Sequence, residues 1–460
     1  MATTYLTRAG TATADSGYTS TFTWSGWVKR SGLGTEQGIF SNERTDSHVN
    51  SRFKLRFNSS DKLSWECKDS TANDDNSFAT NRLFRDTNAW YHIVLVYDTT
   101  DGTPADRVKC YVNGENIRST SGFSSDDQAS SNFGTLWSSA IVHQIGRYDN
   151  NSGTAQYFDG LISHVHCAYG TAYQASTFGS TDATTGEWKI NTSPTFTLGT
   201  QGYTILKDGN TITDQSSNSN NFTLGGGTLT NTEDCPDDVF ATMNPLDNYK
   251  ASSTFTNGNT TVQTNNSNYT WNTGTLGMSS GKYYWEVKYS ANSNASIYNT
   301  IGIAERPTDG TTDVLGLQTD CANYCYYADT GKSFSKDVQA VYGDTYTVGD
   351  IIGVAVDLDN SKLYFNKNGT WQNSGVPTSG ATGTGAISID AISSTATGVY
   401  FPASGDYGST QNATNQHNFG NGYFGTSAVS SAGTNASGIG IFEYDVPTGY
   451  TALSTKGINS

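Results

Sequence analysis

The chain has 460 residues, 15% of them charged, 35% hydrophobic, and a net charge of −16. A surface this acidic repels polyanions and argues against nucleic-acid binding, and no run approaches the roughly 20 apolar residues that span a bilayer. The modest apolar fraction is offset by 27 Tyr, 20 Phe and 9 Trp, each removing on the order of 150–250 Å² from water when buried. Met1-Ala-Thr-Thr-Tyr-Leu-Thr-Arg8 has no apolar centre of a signal peptide, so folding in a cytoplasm is expected.

Residues 1–190 read as strand after strand. Phe22-Thr-Trp-Ser-Gly-Trp-Val28 alternates, and Arg52-Phe-Lys-Leu-Arg-Phe57 sets its basic residues on one side. Asn58–Asp61 turns the chain into Lys62-Leu-Ser-Trp-Glu-Cys-Lys68, with Leu63, Trp65 and Cys67 facing inward. This predicts a hairpin with one buried and one wet face. Ile141–Arg147 and Phe158–Cys167 supply closing strands, with His164 and His166 alternating on an outer face. Cys67, Cys110 and Cys167 fall in the apolar phase and read as free core thiols.

From 191 to 245 turn formers dominate, as in Asp214–Asn221 and Gly225–Gly227, which predicts a connector with a few short strands. Strands resume from 246 to 460: Lys282-Tyr-Tyr-Trp-Glu-Val-Lys-Tyr289 places Tyr283, Trp285, Val287 and Tyr289 on one face, and Thr300-Ile-Gly-Ile-Ala304 suits a central position. One unit recurs. Trp90-Tyr-His-Ile-Val-Leu-Val-Tyr-Asp98 precedes Arg107-Val-Lys-Cys-Tyr-Val-Asn-Gly114, and Gly349-Asp-Ile-Ile-Gly-Val-Ala-Val-Asp357 precedes Lys362-Leu-Tyr-Phe-Asn-Lys-Asn-Gly369. Each is a short, continuous apolar run followed by a strand ending in Asn-Gly, the pattern of a strand buried on both faces. The fold class expected is all-β, with two β-sandwich (jelly-roll) domains joined by an irregular connector.

These residues carry a resemblance. Trp24-Ser-Gly-Trp-Val28, Trp90–Asp98, Arg107–Gly114 and Phe158-Asp-Gly-Leu-Ile-Ser163 resemble the laminin-G-like, concanavalin A-like jelly roll. Gly281-Lys-Tyr-Tyr-Trp-Glu-Val287, Ile351–Asp357, Leu363-Tyr-Phe-Asn-Lys-Asn-Gly369 and Asn418-Phe-Gly420 look like a SPRY domain. Phe240-Ala-Thr-Met-Asn-Pro-Leu246 and Val446-Pro-Thr-Gly-Tyr450, with this domain order, are similar to proteins of marine tailed bacteriophages, cyanophages included. That resemblance implies a virion structural protein, either a tail-fibre or appendage subunit or a capsid decoration. It implies lectin-like recognition of host surface glycans, other virion proteins as partners, and a homo-oligomer with a trimer favoured.

The residues argue for binding rather than catalysis. The alternative from a different class is a polysaccharide depolymerase, and such a glycanase needs two opposed carboxylates, about 5–5.5 Å apart for a retaining mechanism. The nearest patterns, Glu443-Tyr-Asp445 and Asp357-Leu-Asp359, lack a third acid. Thr330-Gly-Lys-Ser333 echoes a phosphate loop, but Tyr326 stands where its first glycine belongs. Cys321 and Cys325 form a single C-x3-C pair with no second pair for zinc. No cofactor is expected. Calcium is the one ion the loops invite, through Asp69, Asp74, Asp75, Asp98 and Asp106. The binding candidates are aromatic and amide side chains in strand-end loops: Trp137 in the first domain, and Asp320, Asn323, Tyr324, Tyr326, Asn366, Asn368 and Trp371 in the second.

Overall fold

The computed structural model describes all residues except 1–2, 10–17, 45–51, 69–74, 137–140, 150–153, 208, 210, 248–251, 266–268, 294–295, 308–313 and 409–411. The chain divides into two units, Met1–Asn231 and Thr232–Ser460.

In the first unit an eight-stranded sheet runs Phe123–Asp127, Asp75–Leu83, Lys62–Lys68, Arg52–Phe57, Gln37–Arg44, Ile141–Ile145, Tyr5–Ala9 and Thr223–Gly226. A six-stranded sheet runs Glu115–Asn116, Val108–Val112, Trp90–Asp98, Thr21–Arg30, Gly160–Tyr169 and Tyr203–Ile205. Period-two alternation sends Phe53, Leu55, Phe57, Leu63, Trp65 and Cys67 into one core with Phe22, Trp24, Tyr97 and Cys167. Rings interlock there: Trp24 stacks on Phe40 at 5.6 Å, Phe22 on Tyr97 at 5.2 Å and Phe53 on Trp65 at 5.5 Å.

The second unit repeats the plan. Its nine-stranded sheet follows Thr254–Thr256, Thr261–Gln263, Ala413–Asn418, Lys282–Asn292, Ile351–Asp357, Lys362–Lys367 and Thr370–Trp371, with Ile387–Ser388 and Thr451–Ala452 attached beside this path. Its six-stranded sheet runs Trp271–Thr273, Phe401–Asp406, Asn299–Ala304, Asn323–Tyr327, Lys332–Ser335 and Val338–Val341. Gly302 lies where Asn299–Ala304 passes its neighbour so closely that a Cβ would meet the Tyr324 carbonyl at 1.8 Å. That explains the small residue between Ile301 and Ile303.

The duplicated hairpins close identically. Asn113–Gly114 takes φ 49° and 80°, and Asn368–Gly369 takes 49° and 82°. Each is a two-residue turn of the type whose twist matches the strands it joins. Both apolar runs are buried on both faces, as their continuity predicts, because a further segment of chain covers each from outside. Val94 and Val96 pack against Ala175 and Phe178, with Tyr173, Trp188 and Phe196 alongside. Ala355 packs with Tyr284, Tyr364, Phe442, Val446 and Tyr450.

Two expectations need correction. The basic face of Arg52–Phe57 is not wet: Lys54 is buried, paired with Glu66 at 3.1 Å and set over the Tyr148 ring at 5.0 Å. Arg56 pairs with Glu36 at 2.7 Å and donates to the Tyr148 hydroxyl. The hairpin of Arg147–Asp149 and Ala155–Tyr157 supplies Tyr148, and a cation over an aromatic face is stabilised there. Nor do His164 and His166 alternate on an open face. A bulge separates Ser163 from His166, His164 takes φ 48°, and His166 lies buried against Phe178 and Phe196, each at 5.7 Å.

Candidate binding surface of the second unit

Two buried polar side chains build the loops at one end of the six-stranded sheet. Glu305, at the end of Asn299–Ala304, accepts from the Ala322 amide at 3.1 Å and the Ala396 amide at 2.8 Å. Asn323 opens the next strand with none of its surface exposed. Its Oδ1 accepts from the Gly316 amide at 2.5 Å, and its Nδ2 donates to the carbonyls of Gln318 and Cys321 at 2.9 and 2.8 Å. Buried polar groups persist only when bonded in this way. Around them lies a charged rim: Arg306 pairs with Asp320 at 2.6 Å, and Lys336 with Asp390 at 2.8 Å.

Asp320 therefore sits on the rim and Asn323 beneath it. The Tyr324 ring is in the core, its hydroxyl accepting from the Asp390 amide at 2.9 Å. The Tyr326 ring is also buried, and its hydroxyl donates to the Asp344 carbonyl. Asn366, Asn368 and Trp371 belong to a separate hydrogen-bond neighbourhood. Buried Asn366 accepts from the Gly353 and Gly369 amides at 3.2 Å. Asn368 accepts from Ile351 at 2.9 Å and donates to Asp350 at 2.7 Å. Half-buried Trp371 packs on Tyr284 and Tyr364 at 6.4 and 6.5 Å. Trp137, Asp69 and Asp74 lie outside the described residues, as does the side chain of Asp75.

The hairpin Lys332–Ser335/Val338–Val341 starts at that rim, and from sequence only its first two residues stood out, in the phosphate-loop echo of Thr330–Ser333. Its outer strand is Val-Gln-Ala-Val, exposed at all four residues. The one signal was this run of four uncharged residues after Asp337.

Elsewhere the reactive groups serve structure. His92 Nδ1 accepts from the Trp188 indole at 2.9 Å, so its proton sits on Nε2 and is donated to Ser25 Oγ at 2.9 Å. That tautomer cannot take a proton from Ser25. Burial pushes His92 down to about 3, and His166 likewise. Glu443 accepts from Ser430, and Asp445 from the Thr434 amide at 2.6 Å. Asp357 pairs with Lys282 at 2.9 Å, and Asp359 accepts from the Gly281 amide at 2.9 Å. Asp98 accepts from Thr100, and Asp106 lies 3.6 Å from Lys109. Among the described residues no group of three His, Cys, Asp or Glu side chains is arranged to hold a metal ion.

Residues 3–177 match the family model described as the concanavalin A-like lectin/glucanases superfamily, and residues 282–389 match the SPRY domain. Ran-binding protein 9 of Danio rerio is 36% identical over 90 residues, which are 19% of this chain and 14% of that protein. The Homo sapiens protein of the same name is 36% identical over 90 residues, again 19% of this chain and 12% of its own length. The chain thus spans about one seventh of the first of these relatives. Among solved structures, the SPRY domain of human HERC1 is 15% identical, with 38% of this chain and 96% of that one covered and a TM-score of 0.29. A putative carbohydrate binding protein from Bacteroides ovatus is 16% identical, covering 51% and 61%, with a TM-score of 0.31.

These relatives overturn what the phage resemblance implied. They are Ran-binding proteins of animals and not proteins of phages, so the virion role as tail fibre or decoration, the virion and host-glycan partners with their trimer, and the location on a particle are all withdrawn. The polysaccharide depolymerase kept as an alternative to that role goes with it. What the chain carries is a laminin-G-like, concanavalin A-like domain followed by a SPRY domain.

Proposed function

We propose that this chain is a non-enzymatic binding protein whose SPRY unit engages protein partners. The observation that carries the reading is the rim of Arg306, Asp320, Lys336 and Asp390, standing on loops fixed from beneath by buried Glu305 and Asn323. Loops held by a rigid scaffold are where recognition concentrates. Preorganised loops also lose little freedom on binding. The similarity of the chain to Ran-binding proteins over 90 residues supports a protein ligand, and their printed name makes Ran the first partner to try.

The test is a yeast-displayed random peptide library sorted with the full chain, with Ran titrated in parallel. A protein-binding SPRY unit enriches a consistent peptide motif or binds Ran saturably, and loses either ligand on Asp320→Lys or Asp390→Lys. An unenriched library together with no Ran binding overturns the reading.

A further inference from the structure

The outer strand Val338–Val341 pairs with Lys332–Ser335 on one side, and among the described residues no strand pairs with it on the other. Its side chains are uncovered, with Val338 66% and Val341 88% exposed. Open strand edges recruit foreign strands, and proteins ordinarily blunt them with charge, proline, bulges or shortness. The other outer strands of the four large sheets follow that rule. Phe123–Asp127 ends in two aspartates and Thr223–Gly226 in two glycines. Glu115–Asn116, Tyr203–Ile205, Thr254–Thr256, Thr370–Trp371 and Trp271–Thr273 have two or three residues each. Val338–Val341 has neither charge, glycine nor proline within it.

The edge is also held still. Lys336 and Asp337 form a two-residue turn with φ 50° and 71°, the conformation that Asn-Gly supplies in the duplicated hairpins. Lysine does not favour that region, and aspartate enters it less readily than the asparagine–glycine pair does. Contacts hold them there: Lys336 Nζ on Asp390 at 2.8 Å, the Lys336 amide on the Asn323 carbonyl at 3.3 Å and the Asp337 amide on the Gly316 carbonyl at 2.9 Å. A two-residue turn makes Ser335 and Val338 a hydrogen-bonded pair. Alternation then turns the amides and carbonyls of Gln339 and Val341 outward.

We infer that Val338–Val341 is a docking edge for an extended segment of another protein, apolar at alternate positions and flanked by Lys or Arg. The inference rests on the binding-protein reading above and names where and how its SPRY unit takes hold. The charge preference follows from exposed Asp329, Asp337 and Asp344, which outnumber Lys332 around the hairpin, while Lys336 is paired with Asp390. The same acids repel a second copy brought edge to edge. A four-residue edge also falls far short of the roughly 1,200 Å² that a stable dimer buries. Backbone pairing supplies affinity in this mode, and alternate side chains supply selectivity.

The test is fluorescence anisotropy of the full chain with a labelled peptide, Lys-Lys-Val-Thr-Val-Thr-Val-Lys. Saturable binding is expected. It weakens at least tenfold when alternate peptide amides are N-methylated, when the lysines become glutamate, and in Gln339→Pro, which removes an outward amide while sparing the inner ladder. Val341→Glu, a change at an exposed side chain, guards against misfolding and should weaken binding as much. Absence of saturable binding, or binding indifferent to Gln339→Pro and N-methylation, overturns the proposal. So does association of two copies, seen by sedimentation, that Gln339→Pro abolishes. If the displayed library yields ligands insensitive to Gln339→Pro, the edge assignment falls while the binding reading stands.

Discussion

Buried Glu286 grips the main chain at Glu443: its Oε2 accepts from the Glu443 amide at 2.8 Å, and its Oε1 accepts from the Tyr444 amide at the same distance. The Tyr284 hydroxyl, at 3.0 Å, and Asn418 Nδ2, at 3.4 Å, complete the shell. A strand residue thereby fixes the segment that seals the outer face of Ile351–Asp357.

Replacing Glu286 with Ala leaves both amides without their acceptor and opens a void. The expected loss is about 3 kcal/mol, from unsatisfied buried donors and lost packing. Glu286→Gln keeps one carbonyl acceptor and costs roughly half as much. Urea unfolding reads the loss, and limited proteolysis should show new cleavage within 430–446 for the Ala variant alone.

The two units respond to pH with opposite sign. In the first, burial holds His92 and His166 at about 3 and His143 well below its ordinary value. The unfolded chain binds more protons below pH 6.5, so stability present above 6.5 falls with the pH. The loss is about 2 kcal/mol each for His92 and His166 at pH 5. In the second, burial raises Asp247 to about 6, Glu286 to about 7 and Asp406 to about 8. Those carboxyls stabilise the fold while protonated, and that contribution declines from about pH 4 to 8. His417, lowered to about 4, opposes this only below pH 6.5. Exchange protection corrected for intrinsic rates should therefore fall between pH 7 and 5 in 21–169, and between pH 6.5 and 8 in 282–418.

Trp188 covers the outer face of the first unit's six-stranded sheet and bonds His92. Trp188→Ala should cost about 3–4 kcal/mol as a large aromatic truncation, raise dye binding to exposed apolar surface, and lift the His92 titration toward 6.5. Trp188→Phe keeps the cover but removes the indole donor, so it should move the titration with less loss of stability. Histidine ring NMR separates the two effects.

Arg30 and Asp61 form an ion pair at 3.1 Å with the guanidinium fully buried, over the Phe57 ring at 4.4 Å. Asp61→Ala should destabilise the first unit by about 3–5 kcal/mol, because it strands a buried charge, and the double change Arg30→Met, Asp61→Leu should recover much of it. Chemical denaturation of the three variants measures the difference.

The sequence made the sandwich strands legible because apolar alternation and continuous runs register directly which faces are covered. Trp90–Asp98 and Ile351–Asp357 announced burial on both sides. What lay over them did not register: Phe178, Trp188 and Tyr450 come from turn-rich segments with no periodicity, and Phe442 from Ile441–Pro447, whose alternation predicts a strand although the structure forms none there. The face of Lys54 and Arg56 read as wet because charge pattern alone does not reveal a distant hairpin bringing Tyr148. Among the binding candidates, Asn323 and Asn366 carry the amide groups a ligand site would use, yet in this fold those amides bond their own backbone. A side chain's chemistry is written in sequence; the direction it faces at a strand end depends on loop closure.

The most direct measurement is a hydrogen-exchange footprint of the full chain saturated with the library-enriched peptide. Recognition by the SPRY unit predicts new protection within 314–341 and at Asp390, with the first unit unchanged. Protection confined to 3–177, or none at saturation, would contradict it.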